Sequence, residues 1–256
     1  MSDWSSAQYL KFEKERTQPA VDLANRISVK KPKRIVDIGC GPGNSTQVMA
    51  QRYPDAYILG CDNSPNMLEA ARENYPDIEF RICDAGRDLS GLGGDFDIVF
   101  ANACIQWIPD HPKLLKNMIG LLRKGGVLAV QTPVNYREPI HLIIGEVAGS
   151  EEWKDEFSFS RIFYNLSTGK YFDLLSQISP AFSIWETTYY HALSSHEQIM
   201  EWYRGTGLRP YLNALPARKR HLFERAVLKR LKDEYPVRKN GNIIFKFPRL
   251  FFIAES

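Results

Sequence analysis

Nowhere in its 256 residues does the sequence carry an apolar run long enough to cross a bilayer, which takes about 18 residues or more. Its start, Met1-Ser2-Asp3-Trp4, lacks a basic segment leading into an apolar one. Neither a membrane span nor a signal peptide is indicated, so the cytoplasm is the expected compartment. Cysteine is also sparse. Cys40, Cys61, Cys83 and Cys104 stand about twenty residues apart and form no CxxC pair, which argues against zinc or a redox dithiol. Each lies in or beside an apolar run, as buried free thiols in a reducing compartment do. Charge excess is missing as well: 33 Lys and Arg face 30 Asp and Glu, a formal +3 that by itself does not suggest nucleic acid. The basic residues do gather late in the chain, at Arg218-Lys219-Arg220, Arg225, Lys229-Arg230, Lys232 and Arg238-Lys239. With Glu224, Asp233 and Glu234 among them, they read mostly as the solvated face of a helix. No nucleophilic triad, metal-ligand cluster or phosphate-binding lysine motif is found.

What is present is ordinary globular composition, 44% hydrophobic and 25% charged, in a chain long enough to bury a full core. The first half alternates short β-type runs with helical patterns. Strands are expected at 34–38, 57–60, 79–82, 96–100 and 126–131, with helices through about 53, over 64–74 and near 112–122. Strands alternating with helices of this length indicate parallel βαβ units, a sheet covered on both faces. Beyond Pro133 the rhythm changes. Helices are expected over about 135–153, 169–178, 195–204 and 216–234, a strand over 183–191, and a β-rich ending over 242–254. Pro248 within that ending argues for a bend or an edge position. More than 50 residues separate the last two strands, far more than a hairpin needs, and the excess reads as a helical lid over the open end of the sheet.

The strongest local signal is Val36-Asp37-Ile38-Gly39-Cys40-Gly41-Pro42-Gly43-Asn44-Ser45. Gly39, Gly41 and Gly43 after a strand permit a tight turn and close approach of a ligand to the backbone. Nucleotide-binding folds of several chemistries share a bare GxGxG, but here an acid, Asp37, precedes the first glycine by two positions. The segment resembles the first motif of the class I S-adenosylmethionine-dependent methyltransferases. That resemblance implies a Rossmann-like α/β fold: a mostly parallel seven-stranded sheet with an antiparallel last strand. It also implies a set of roles. Asp37 lies near the methionine part of the cofactor, and the backbone from Gly39 through Cys40 and Gly41 to Gly43 follows its amino acid and ribose. Asp62, beside Asn63 at the end of the second strand, takes both ribose hydroxyls, which one carboxylate can accept. Asp84 receives the adenine amino group, with a backbone contact from Ala85, and Asn102 meets the methionine end. For Asp62 alone, capping of the following helix is the plain alternative. Acids in the crevice at the strand ends disfavour a phosphate-rich cofactor and tolerate a sulfonium; with Pro42 they make the helix terminus less suited to a pyrophosphate.

The resemblance reaches further. Tyr9-Leu10-Lys11-Phe12, Glu15-Arg16, Pro19-Ala20-Val21-Asp22-Leu23, Glu201-Trp202, Gly205-Thr206-Gly207-Leu208-Arg209-Pro210-Tyr211-Leu212 and Phe247-Pro248-Arg249-Leu250-Phe251 are similar to the trans-aconitate methyltransferase family over essentially the whole chain. The implied partner is a small tricarboxylate, which becomes a monomethyl ester while the cofactor becomes S-adenosyl-L-homocysteine. No metal, nucleic acid or membrane is implied, and a monomer is the default. A single domain over 1–256 is expected, with an N-terminal helical cap at 1–30, a cofactor-binding half at 31–133 and lid segments at 134–180 and 192–241.

Chemistry agrees with the missing triad. A carboxylate is already anionic near neutrality and needs no general base. The enzyme must instead align nucleophile and methyl and exclude water. The remaining carboxylates call for cations, and Arg offers a bidentate fork. The ranked candidates are Arg209, in a Gly-flanked loop beside Tyr211, then Arg16, then His191 and Arg137. The first three have structural alternatives: a surface residue or loop pin for Arg209, an acid of its own helix for Arg16, and a structural ring for His191. Gln106 and Trp107 follow the fourth strand, from which this fold reaches the methyl group; Trp107 is either a wall for the sulfonium or core. Tyr9 and Phe12 either close over the cofactor or pack as core. Rival readings are another small acid or a phenol as acceptor, with His191 or His111 as base, a nucleic-acid methyltransferase, and a non-catalytic binding module. The segment Asn102-Ala103-Cys104-Ile105 lacks the Pro-Pro-aromatic pattern that base methylation would lead one to expect there.

Overall fold

The computed structural model describes residues 12–159 and 161–256; Tyr9 lies outside them. Five parallel strands form first: β1 (Arg34–Ile38), β2 (Tyr57–Asp62), β3 (Glu79–Ile82), β4 (Phe96–Asn102) and β5 (Leu122–Pro133). Two long strands, β6 (Phe182–Leu193) and β7 (Ile243–Glu255), complete a seven-stranded sheet in the order β3-β2-β1-β4-β5-β7-β6, with β7 antiparallel to both neighbours. The chain runs outward from β1 to β3 and then returns to place β4 beside β1. That reversal opens a crevice at the carboxyl ends of the strands, where open α/β sheets bind ligands.

Two-residue alternation along the strands builds two cores. Ile35, Ile98, Phe100, Ala129 and Phe251 face Ala20, Leu23, Ala24 and Ile27 of α1 (Glu13–Arg26), with Met49 of α2 (Asn44–Arg52). Val36, Val99, Leu128 and Phe252 face the other way, against Leu114, Leu115 and Met118 of α4 (His111–Ile119) and Tyr171 and Leu175 of α6 (Thr168–Ile178). Between β2 and β3, α3 (Pro65–Asn74) starts where Ser64 Oγ accepts from the Met67 N–H at 3.3 Å, an N-cap. A third core joins α5 (Pro139–Ala148), α7 (His196–Arg204), α8 (Arg209–Ala214) and α9 (Ala217–Glu234). On α9 the stripe Phe223, Val227, Leu231 is buried at the i, i+4 spacing of one helix face, while Arg218, Arg220, Arg225, Lys229, Arg230 and Lys232 stay exposed. The first half of β7 (Ile243, Phe245, Phe247) belongs to this helical core and its second half to the cores on the sheet faces, so one continuous strand joins the two.

Three expectations change. Pro248 marks neither an edge nor a break, since β7 runs unbroken between β5 and β6. Its carbonyl accepts from the Val134 N–H at 3.0 Å, on the β5 side and just past the Pro133–Arg249 pair that ends that ladder. A strand residue's N–H and C=O point the same way, so the missing donor faces a place where the ladder has already stopped. Arg209 opens a short helix rather than sitting in a loop, because Pro210 fits the first turn of α8. The helix expected over 135–153 contracts to α5, since the turn ahead of it and the 3₁₀ turn Lys154–Glu156 after it use other hydrogen bonds. Among the described residues no helix is long and apolar enough to cross a membrane.

Candidate active site

The β1–α2 turn is shaped by left-handed backbone. Gly39 and Gly41 hold φ of 70° and 55°. A Cβ on Gly39 would lie 2.1 Å from Cys104 Sγ, so this glycine lets the end of β4 press against the turn. At Gly41 nothing stands within 4 Å of where a Cβ would be, and the space above that peptide is open. The Gly41 N–H donates to Asp62 Oδ2 at 2.9 Å, and the Ser64 N–H to Asp62 Oδ1 at 2.9 Å. These two bonds fix the carboxylate at the end of β2, with one oxygen held against the turn between β1 and α2.

Asp37 is fully buried at the C-terminal end of β1. Ser45 and Thr46, in the first turn of α2, both donate to its Oδ2, at 2.6 and 2.8 Å. Its Oδ1 has no hydrogen-bond partner among the described residues. Burial pushes the Asp37 carboxyl up to about 7, against the two hydroxyl bonds and with a further push from Asp62. A buried, half-satisfied carboxylate of this kind is a receptor for a cation. Asn102, buried at the end of β4, likewise leaves its Oδ1 without a partner. Cys40 is buried beside these acids, and burial holds its thiol well above the ordinary range. Asp84 and Asn63 are exposed on the rim, and Ala85 is half-buried beside Asp84. Asp84 Oδ1 accepts from the Gly86 N–H at 3.0 Å, and Arg87 lies 3.3 Å from its other oxygen.

Past β4 the chain turns tightly, with Ala103 at φ 54° and a 3₁₀ turn over Ile105–Trp107. Buried Gln106 donates to the Ala103 carbonyl at 2.7 Å and accepts from Thr132 Oγ1 at 3.2 Å. The strap 161–165 is laced across this turn: the Tyr164 N–H donates to the Gln106 carbonyl at 3.1 Å, and Asn165 donates to Thr132 Oγ1 at 2.9 Å and to the Pro133 carbonyl at 3.2 Å. Arg161 on that strap stacks over Trp107, 4.5 Å from its centroid, and lies 5.1 Å from the ring of Phe163. Its Nη1 donates to the Thr206 carbonyl at 2.6 Å, its Nε has no partner, and no carboxylate of the described residues pairs with it. Desolvation brings the guanidinium down to about 10, and the positive charge of Arg209 adds to the effect. A cleft of about 540 Å³ opens beside it, lined also by Tyr136, His141, Phe163, Asn165 and Tyr211. Tyr203 Oη accepts from Asn135 Nδ2 and meets His141 Nε2, each at 3.0 Å. Burial, then Arg161, lowers His141 to about 3, so its ring is neutral.

Of the residues expected to touch an acceptor, Tyr211 lines this cleft, Trp107 underlies Arg161, Gln106 supports the turn, and half-buried Arg209 adds its charge to Arg161 from the start of α8. Arg16 and His191 lie elsewhere, against α7. Arg16 Nη2 donates to the Trp202 carbonyl at 3.0 Å, and the His191 and Phe12 rings are 5.0 and 4.7 Å from that of Trp202. Burial and then Arg249 lower His191 to about 4. Arg137 is exposed. Sequence reasoning missed Arg161, His141, Tyr203 and buried Arg249, which donates to Gln131 Oε1 at 3.2 Å. The one legible signal for Arg161 was an arginine set among Phe157, Phe159, Phe163 and Tyr164.

An acid-flanked glycine turn at the switch point of this seven-stranded, helix-flanked sheet defines a class I S-adenosylmethionine-dependent methyltransferase. A family model described as "Methyltransferase domain" matches residues 35–126. Among solved structures the chain is similar to the YcgJ protein from Bacillus subtilis, with a TM-score of 0.61 at 15% identity over 93% of this chain and 98% of that one. Phosphoethanolamine N-methyltransferase 2 of Haemonchus contortus gives a TM-score of 0.56 at 18% identity, over 93% of this chain and 52% of that one. Both likenesses concern the fold. Among curated proteins, the trans-aconitate 2-methyltransferase of Rhodopseudomonas palustris (strain BisA53) is 42% identical, with all of both chains covered. That of Escherichia coli (strain K12 / DH10B) is 41% identical over 100% of this chain and 99% of its own. The chain belongs to the trans-aconitate 2-methyltransferase family.

Proposed function

We infer that this chain transfers the methyl group of S-adenosyl-L-methionine to a carboxylate of trans-aconitate, giving the monomethyl ester and S-adenosyl-L-homocysteine. The observation that carries the reading is the full-length similarity at 42% identity, which includes the lid segments and not only the cofactor half.

The residues present fit the donor. Asp37 Oδ1, buried and without a partner, suits an ammonium; the two oxygens of Asp62 suit the ribose diol; the open backbone at Gly41 leaves room for the chain between them. Asp84 and Ala85 at the rim are the candidates for adenine, and Asn102 for the methionine end. Phe12, packed on Trp202, belongs to the N-terminal cap. When bound, S-adenosyl-L-methionine supplies an electrophilic methyl: a carboxylate oxygen forms the new C–O bond while the C–S bond breaks and its electron pair stays on sulfur. No proton moves, so the chain needs no base. His141 and His191, both held neutral by burial, are not called on for one. What remains for the protein is to hold the anion in line and keep water out. The segments 134–180 and 192–241 act as the lid that does this, and one copy of the chain suffices.

The test is methyl transfer from labelled donor to a panel of trans-aconitate, cis-aconitate, citrate and simple monocarboxylates, with the product weighed by mass spectrometry. A base-labile monomethyl ester formed preferentially from trans-aconitate is the expected result. Ester formation on a different acid alone would move the reading to that acceptor.

A further inference from the structure

Arg161 is a cation that the fold itself does not neutralise. It lies between Trp107 and Phe163, its Nε is buried without a partner, and a backbone carbonyl is the acceptor it has been given. A desolvated guanidinium with unused donors is costly unless an anion completes it. The cleft beside it is lined by neutral groups: Tyr136, His141, Phe163, Asn165 and Tyr211. Asn165 keeps its Oδ1 unpartnered there as well. A short chain of contacts links the cleft to the glycine turn. Cys104 presses on Gly39, and three residues further along the same turn Trp107 carries the Arg161 stack.

We propose that Arg161 determines which acids this enzyme accepts, by binding a carboxylate of the polyacid other than the one that receives the methyl. The assignment rests on reading the neighbouring crevice as the donor site. The reacting carboxylate is excluded from this contact on chemical grounds. A carboxylate forked by a buried arginine has its lone pairs engaged and its charge compensated, which lowers its nucleophilicity. A second, unreactive carboxylate loses nothing by being held that way. An acceptor whose single carboxylate sits at the methyl has no second carboxylate to offer Arg161, so it binds without that contact and more weakly.

The experiment uses the full-length protein saturated with S-adenosyl-L-homocysteine, a complex that binds acceptor without turnover. Calorimetry then measures trans-aconitate and the monocarboxylate crotonate. In the wild type, trans-aconitate binds at least tenfold more tightly than crotonate. Arg161→Gln weakens trans-aconitate by roughly 10- to 100-fold, the range for a lost hydrogen bond to a charged group. It leaves crotonate and S-adenosyl-L-homocysteine within about twofold. Arg161→Met, whose stem keeps the stack on Trp107 and Phe163, behaves as Arg161→Gln, and Arg161→Lys recovers part of the loss. Unchanged trans-aconitate affinity in Arg161→Gln or Arg161→Met, with S-adenosyl-L-homocysteine still bound, overturns the proposal, as does an equal loss for both acids. Equal affinity of the wild type for the two acids overturns it without any variant. If the wild type makes the ester and Arg161→Gln binds trans-aconitate unchanged, only the role of Arg161 falls. If trans-aconitate binds through Arg161 and no ester forms, the functional reading falls and the binding role stands.

Discussion

Asp37 is where burial and function oppose each other most directly. Its carboxyl is raised to about 7 by desolvation, although Ser45 and Thr46 both donate to it. Moving an acid from its ordinary range to about 7 costs the ionised form on the order of 4 kcal/mol, at ~1.4 kcal/mol per tenfold. The sign follows from linkage. The folded chain holds this proton more tightly than the unfolded one, so the penalty its charge places on folding is full above about 7 and is relieved as pH falls from there toward the ordinary carboxylate range. Binding of a ligand ammonium runs the other way, since it needs the carboxylate. The affinity for S-adenosyl-L-homocysteine, measured by calorimetry from pH 5.5 to 8.5, should therefore be level above pH 7 and fall roughly tenfold per pH step of one below it. The neighbours do not supply that profile: His141 and His191 are neutral throughout the range, and burial keeps the Cys40 thiol protonated. Asp37→Asn should abolish the pH dependence and weaken binding at pH 8 by roughly 10- to 100-fold, the loss of a hydrogen bond to a charged group. The same variant, free of ligand, should unfold a few degrees higher at pH 8, because removing the buried charge outweighs the ~1–3 kcal/mol of an amide N–H left unpaired. A wild-type affinity that is flat across the range, or an Asp37→Asn variant that binds as the wild type does, would refute this reasoning.

Gly39→Ala should be severe: the new methyl meets Cys104 Sγ at 2.1 Å on a residue with φ of 70°. Loss of S-adenosyl-L-homocysteine binding with a lowered Tm is expected, and Cys104→Ser should not restore it because the Cβ also falls 2.5 Å from Cys104 Cβ. With saturating donor, kcat should be flat from pH 7 to pH 9, since the nucleophile is already ionised and the buried histidines do not titrate there; a rising limb would require a base. Asp97 accepts from the Lys33 and Arg34 N–H groups at 2.6 and 2.9 Å and from Arg123 at 2.5 Å. Burial raises its pKa, but these three donors outweigh burial and hold it below the usual carboxylate range. Its contribution to stability is thus present at neutral pH and lost as pH falls through the folded value, so Asp97→Asn should cost about 1–3 kcal/mol at pH 7, with the difference in unfolding midpoint closing in acid.

The cofactor half was legible in the sequence because its signals are local. Period-two strands, the glycines at 39, 41 and 43, and acids at or just past the ends of successive strands are consequences of backbone geometry within a few residues. Parallel pairing then carries Asp37, Asp62, Asp84 and Asn102 to one edge of the sheet without further information. The acceptor side was not legible in the same way. Arg161 gains its environment from Trp107, which lies far away in sequence, and from Thr206, in the turn before α8; His141 meets Tyr203 through the packing of α5 against α7. Arg16 and Arg209 look alike in sequence, yet one is tied to the Trp202 carbonyl while the other stands near Arg161. Pro248 read as an interruption because a missing donor is a local fact, whereas the end of the β5 ladder opposite it belongs to the assembled sheet. By itself the sequence determined the βαβ scaffold, the glycine turn and the acids around it. Only the tertiary structure decided that Arg161 lies over Trp107 with no carboxylate of the described residues paired to it, because the desolvation of a guanidinium depends on side chains brought together from three separate parts of the chain.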